Sequence, residues 1–380
     1  MNKTSKPLYF DYAAATPLDP LVLAAMEPYF IDKFFNPSAT YLAAKEIKRD
    51  IALARAKVAE HLGAKPSEII FTAGGTEANN LAIHGIMQSF PKGNLVVSAM
   101  EHESVLMPAR MYDNRVVKLH PDGRVDLDDL IKKIDERTVL VSVMQVNNEI
   151  GTIQPIREIA QVIDRKRRGR AGLSLPLYFH TDATQAANYL DLHVSRLKVD
   201  LMTLNGGKIY GPKQSGALFF SSSVRLKALI EGGGQERNLR SGTENIAGIM
   251  GFSAALDIAQ RTRQEEAERL RGLQREFLEL LAKKIPVARL NGSIKYRLPN
   301  NIHLTIPGKD NERLLFELDE EGVQAAAGSA CSASSLTPSH VLQAIGLSDE
   351  EARSSLRFTM GRQTNSLDLK RLADILAYMA

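Results

Sequence analysis

Short apolar runs alternate with amphipathic stretches along most of the chain. The runs Glu68–Thr72, Asn94–Ser98, Arg115–Leu119, Val139–Val146, Leu177–Thr181, Leu201–Leu204 and Ala217–Phe220 read as strands. Periodic stretches at Ala39–Leu62, Glu77–Ser89, Asp128–Asp135, Ile156–Arg167 and Arg225–Ile230 read as helices. Strand-then-helix alternation predicts an α/β unit built on a mostly parallel sheet. A long helical stretch, Glu244–Ile285, follows and ends at Pro286. Beyond it the texture changes. Strands at Asn301–Ile306 and Val323–Ala327 mix with helices at Asn311–Glu320, Ser339–Ile345 and Leu367–Tyr378, as in a smaller α+β unit. In parallel sheets ligands gather at the carboxyl ends of strands, so chemistry is sought there.

Composition narrows the classes. The 380 residues are 44% hydrophobic and 24% charged, as in an ordinary globular protein. A balance of 48 basic against 44 acidic residues argues for no direct nucleic-acid partner. No apolar stretch is long enough for a signal peptide or a membrane span, which predicts a cytoplasmic protein. The one cysteine, Cys331, excludes an internal disulfide and any multi-thiolate metal site made by one chain. No metal is expected. One charge run, Arg165, Lys166, Arg167, Arg168 and Arg170, reads first as a solvated helix end and second as a docking patch for an acidic partner.

Six constellations can carry chemistry. In Phe71-Thr72-Ala73-Gly74-Gly75-Thr76-Glu77 a strand runs through glycines into a helix, either an ordinary turn or a phosphate cradle of backbone N–H groups. His102, in Met100-Glu101-His102-Glu103-Ser104, follows a strand and suits either a structural role or ring stacking and proton movement. Asp182 ends an apolar strand, where a carboxylate needs a cation, a metal or a pyridinium nitrogen. Lys208, in Asn205-Gly206-Gly207-Lys208, is either a turn lysine or an amine able to form a Schiff base. Cys331 lies in the small-residue run Gly328–Ser335 and is either inert or a nucleophile on a loop. Arg357, in the apolar run Leu356-Arg357-Phe358, is suited to a salt bridge or to a substrate carboxylate.

Taken together, these residues resemble the cysteine desulfurases, a pyridoxal-phosphate-dependent branch of the class-V aminotransferases with fold type I. The likeness covers nearly the whole chain, from Tyr9-Phe10-Asp11-Tyr12 through Gly74–Asn80, Glu101-His102, Asn147-Asn148-Glu149-Ile150-Gly151, Asp182–Gln185, Lys208–Lys213 and Arg240–Thr243 to the cysteine loop and Leu356–Phe358. It implies a large cofactor-binding domain at 16–260 and a small domain made of 1–15 and 261–380 that carries the cysteine loop. It implies that Lys208 carries the cofactor covalently, that Asp182 pairs with its ring nitrogen and that Gln185 reaches the ring hydroxyl. His102 would stack on the ring and shuttle protons. Gly75 and Thr76 would hold the phosphate, with Asn205 beside them and Thr243 reaching in from the other subunit of a homodimer. Asn148 and Arg357 would bind the carboxylate of L-cysteine. Cys331 would take the sulfur and pass it to an acceptor protein, an iron–sulfur scaffold or a tRNA-thiolation carrier.

The chain departs from the family pattern at two places. Relatives commonly carry Ser-Gly-His before the lysine, where this chain has Asn205-Gly206-Gly207, so weaker cofactor binding or compensation by another group is expected. Many relatives also run on past the position of Ala380 with a segment that docks the scaffold, so altered docking is expected here. Competing readings are a selenocysteine lyase, another class-V aminotransferase, and a non-catalytic regulator or scaffold on the same fold.

Overall fold

The computed structural model describes residues 7–328 and 338–379, apart from 171 and 173. Its strands, in chain order, begin with β1 (Leu8–Tyr9), β2 (Ile69–Thr72), β3 (Asn94–Ser98) and β4 (Asn114–Val117). They continue with β5 (Thr138–Ser142), β6 (Tyr178–Asp182), β7 (Leu201–Asn205) and β8 (Gly216–Phe220). The last four are β9 (Arg289–Leu290), β10 (Asn301–Thr305), β11 (Val323–Gln324) and β12 (Ser355–Thr359).

Among the described residues the central sheet has seven strands in the order β2-β8-β7-β6-β5-β3-β4. Only β8 runs antiparallel to its neighbours. Strands β3, β5 and β6 are buried at every position; the Val/Leu centres of β3 and β5 suit a sheet covered on both faces, and β6 adds the buried polar residues His180, Thr181 and Asp182. The observed strand β5 stops at Ser142, short of the predicted Val146. Beyond Ser142 the Val143 and Gln145 N–H groups still donate to the His180 and Asp182 carbonyls of β6 before the chain runs on to Asn148.

Helix Leu42–Leu62 ends at Gly63, whose left-handed φ of 63° supplies the C-cap. Helix Gly75–Ser89 starts directly after β2. The short helix Glu103–Ala109 after β3 is absent from the sequence reading, because seven residues containing Pro108 carry no clear period. The predicted helix at Arg225–Ile230 does not form. It would be too short to offset nucleation, and the Gly232–Gly234 run prevents its extension.

Helix Ile246–Lys284 spans 39 residues and packs its first part on helix Leu42–Leu62. It also packs on the C-terminal helix Ser366–Met379. Residue 260 therefore falls inside one continuous helix. A second sheet, β12-β10-β9, lies in the C-terminal part. The N-terminal strand β1 pairs in parallel with β11, and Asp11 bridges to Thr359 of β12. This pairing carries residues 11–14 to the mouth of the central sheet. No helix among the described residues is long and apolar enough to cross a membrane.

Candidate active site

A cleft enclosing about 260 Å³ opens at the carboxyl ends of the central strands. Its lining includes Gly75, Thr76, His102, Asn148, Asp182, Gln185, Asn205, Lys208 and Arg357. These residues come from six separate stretches of sequence; the central sheet collects all of them but Arg357, which comes from β12 of the second sheet. Asn79, Ser104 and Thr184 also line it, and the sequence reading gave them no role. Cys331 lies outside the described residues. Thr243 does not line the cleft of its own chain. It is exposed in a neighbouring pocket of about 220 Å³ with Ala73, Arg240 and Glu244.

The floor is set by Asp182, the last residue of β6, which is 6% exposed. Its Oδ1 accepts from the Thr184 backbone N–H at 2.9 Å, and its Oδ2 accepts from Asn79 Nδ2 at 2.7 Å. Below it, His180 is fully buried and bonded to Ser142 Oγ at 2.8 Å and Thr203 Oγ1 at 3.0 Å. Burial lowers its pKa to about 4, so a neutral imidazole fastens three adjacent strands at the base of the cleft.

Lys208 sits in the tight turn Gly206–Lys208 after β7, and its Nζ donates to the Ala14 carbonyl. Asn205 caps that turn by accepting from the Gly207 N–H at 3.0 Å. Gln185 donates to the Ala13 carbonyl at 3.0 Å. The N-terminal segment thus forms one wall of the cleft. Arg357 is 1% exposed; its Nη2 donates to Asp11 Oδ1 at 2.7 Å and its Nη1 to the Asn148 carbonyl at 3.0 Å. Asp11 therefore holds the arginine's charge in place, a salt bridge that complements its position on the cleft wall. The buried Nε of Arg357 has no partner among the described residues.

Helix Gly75–Ser89 points its first turn at the cleft. Gly74, at φ 102°, precedes it without a side-chain cap. A Cβ on Gly75 would stand 3.2 Å from Thr184 Oγ1 and 3.4 Å from Asn205 Nδ2. A side chain there would press on a hydroxyl and an amide at a positive helix end, and glycine leaves that space open. Thr184 Oγ1 is buried without a partner among the described residues. Glu101, just before His102, is fully buried, and its Oε1 accepts from Ser98 Oγ at 2.5 Å and from the Met144 N–H at 2.7 Å. Burial pushes its pKa up to about 8.

The loop leading to Thr243 is strained. Glu236, Arg237 and Asn238 all hold left-handed backbone, at φ 45°, 59° and 62°. Glu236 is fixed there by a two-pronged pair with Arg55 at 2.6 and 2.7 Å and by the Phe71 N–H at 3.0 Å. Farther along, Arg240 Nε donates to Glu77 Oε1 at 2.9 Å in the first turn of helix Gly75–Ser89. Both anchors tie this loop to the elements that build the cradle.

The sequence profile of the family Aminotransferase class-V matches residues 8–372. The chain belongs to the class-V aminotransferase family. It is 42% identical over 378 residues to a protein named cysteine desulfurase IscS from Dictyoglomus turgidum, covering 98% of this chain and 94% of that one. It is 41% identical over 375 residues to one named cysteine desulfurase IscS 1 from Archaeoglobus fulgidus, covering 97% and 95%. Among solved structures, a NifS-like protein superposes with a TM-score of 0.89 at 30% identity, covering 98% of this chain and all of that one. SspA in complex with cysteine superposes with a TM-score of 0.81 at 35% identity, covering 93% and 98%.

Class-V enzymes of this kind work with pyridoxal phosphate, and the cleft fits that group. An orphaned buried hydroxyl at Thr184, an amide at Asn205 and an uncapped helix end with no Cβ at Gly75 suit a phosphate. A lysine amine and a buried carboxylate in the same cleft suit a carbonyl carbon and a ring nitrogen. The Thr184 hydroxyl stands beside Gly75, as does the Asn205 side chain. The signal of Thr184 in the sequence was only its place two residues after Asp182.

Proposed function

We propose that this cleft converts L-cysteine to L-alanine and hands the sulfur to Cys331. The observation that carries the reading is the convergence of Lys208, Asp182, Gln185 and Arg357 on one cleft. Whole-length likeness to proteins named cysteine desulfurase supports it.

Gly75, Thr76, Thr184 and Asn205 would hold the phosphate, with Thr243 supplied by a second copy of the chain. Lys208 would hold the carbonyl carbon, Asp182 the ring nitrogen, and Gln185 the ring hydroxyl. When bound, pyridoxal phosphate supplies an electron sink for negative charge that develops at the substrate Cα. Arg357 and Asn148 orient the substrate carboxylate, and Asp11 keeps the guanidinium fork fixed for it. Lys208 takes the proton from Cα through Nζ, while His102 packs on the ring. Cys331 Sγ bonds to the substrate sulfur as the substrate Cβ–S bond breaks. One sulfur atom is inserted into the Cys331 S–H, and the carbon skeleton leaves as alanine.

The sulfur then passes to an acceptor protein, either an iron–sulfur scaffold or a tRNA-thiolation carrier, in the cytoplasm. The large unit at 16–260 would hold the cofactor, and the unit of 1–15 and 261–380 would carry the cysteine loop. The test is to add L-cysteine to purified holoenzyme, with and without a reducing thiol, and to quantify alanine and sulfide. Catalytic alanine with sulfide released by reductant is the expected result. Turnover that needs a keto-acid acceptor and yields no alanine would replace this reading with a transaminase.

A further inference from the structure

We propose that Asn79 and Ser104 are positioning residues that hold His102 as its Nε2–H tautomer, so that this ring offers the cleft a proton donor and not a lone pair. The inference rests on the reading of His102 as an active-site residue. Its basis is a chain of hydrogen bonds whose direction is fixed at a backbone N–H and matched by the side-chain relay from Asp182.

At one end, the Asp182 carboxylate accepts from Asn79 at 2.7 Å, which makes the contacting Asn79 atom the amide nitrogen. The opposite amide orientation would set two acceptors face to face. The other N–H of that nitrogen goes to Ser104 Oγ at 2.8 Å. Asn79 is 1% exposed, and its Oδ1 has no partner among the described residues, so the amide sacrifices an acceptor to keep this orientation. With its oxygen accepting from Asn79, Ser104 turns its O–H to His102 Nδ1, also at 2.8 Å.

At the other end, His102 is the N-cap of helix Glu103–Ala109, and its Nδ1 accepts from the Ser104 backbone N–H at 3.1 Å. A backbone N–H can only donate, so Nδ1 must present a lone pair. The backbone end requires this tautomer and the Asn79–Ser104 end agrees with it, since the tautomer follows from the partner of the other nitrogen. Nε2 is the nitrogen left to the cleft that His102 lines, and it carries the hydrogen. A ring held in this way donates a hydrogen bond from Nε2 to a substrate or cofactor atom. To accept a proton at Nε2 it would first have to place its own at Nδ1, against two donors. Proton abstraction then falls to Lys208.

The test is nitrogen NMR on holoenzyme labelled with ring-15N histidine, with the His102 signals assigned by their loss in His102→Gln. A pyrrole-type signal for Nε2 with a pyridine-type signal for Nδ1 is expected. The reverse pattern, or a fast average of the two, would overturn the proposal. In Ser104→Ala and Asn79→Ala the Nδ1–H fraction should rise, within the limit set by the Ser104 backbone donor that both variants keep. A lowered thermal midpoint with unchanged His102 signals would make both residues merely structural. Alanine formation measured on the same samples tests the desulfurase reading separately, because the tautomer can hold whether or not L-cysteine is the substrate.

Discussion

The end of helix Ile156–Gly169 and the cleft at the strand ends both concentrate polar side chains, and they use them differently. At the helix end, the charges are spent on the protein itself. Arg167 pairs with Asp200 and donates to the Leu177 carbonyl, Arg170 donates to the carbonyls of Thr138 and Glu136, and Lys166 donates to that of Ile134. They tie the helix end to neighbouring loops, while Arg165 and Arg168 point to solvent. In the cleft the charges are fewer, and three of the residues that line it, Asn79, Thr184 and Arg357, each keep a buried polar atom with no partner among the described residues. Buried polar groups left unpaired cost stability, but Arg170 Nε at the helix end is one as well, so an unpaired atom does not by itself single out the cleft. The convergence of residues distant in the chain identifies the functional region here, where charge density points to the wrong end of the sheet.

The comparison can be broken most severely at Lys208. Lys208→Ala should lower alanine formation by at least about 10²–10⁴-fold, the span of a positioned acid–base group. Turnover within a few-fold of wild type would remove the lysine from the chemistry. Thr184→Ala comes next. Loss of one hydrogen bond to a charged group should weaken pyridoxal phosphate binding by about 1.5–3 kcal/mol, or about ten- to a hundredfold. Titration of the apoenzyme by absorbance reads this directly, and unchanged affinity would leave the hydroxyl outside the cradle.

Glu101→Gln sharpens the comparison through pH. The folded pKa of Glu101 lies near 8, above its ordinary 4.5, so the native state binds the extra proton between those values. Stability should therefore fall as pH rises from about 4.5 to about 8. The glutamine variant should flatten this part of the thermal-midpoint profile and melt higher than wild type above pH 8. A parallel profile would show that Glu101 does not titrate there. The smallest effect is expected at Arg168→Ala, where stability should shift by no more than about 0.5 kcal/mol and alanine formation should be unchanged. A marked loss of turnover would mean that the helix end takes part in the reaction.

Much of this was legible in the sequence, for identifiable reasons. Asn94–Ser98 was read at its observed limits because both faces of β3 are buried and the run is unbroken. Asp182 and Lys208 stood out because a carboxylate ending an apolar strand and a lysine among glycines are costly or unusual where they occur. Asn79 and Thr184 did not. One sits in a helix among other polar residues and the other in a short turn, and only the fold brings them to Asp182 and Gly75. The partner of Arg357 was likewise hidden, because Asp11 is 346 residues away and reaches it through the β1–β11 pairing. The helix misread at Arg225–Ile230 had a suitable pattern but lacked the length and the neighbours to hold it.

The most direct measurement follows the sulfur. Holoenzyme would be treated with L-cysteine in the absence of reductant, digested, and mapped by mass spectrometry alongside Cys331→Ala. One added sulfur atom on the peptide containing Cys331, matched by one alanine per chain, is the predicted result, with neither sulfur on that peptide nor continued turnover in the variant. Alanine formed by wild type with no sulfur on Cys331, or undiminished sulfide release by Cys331→Ala, would contradict it.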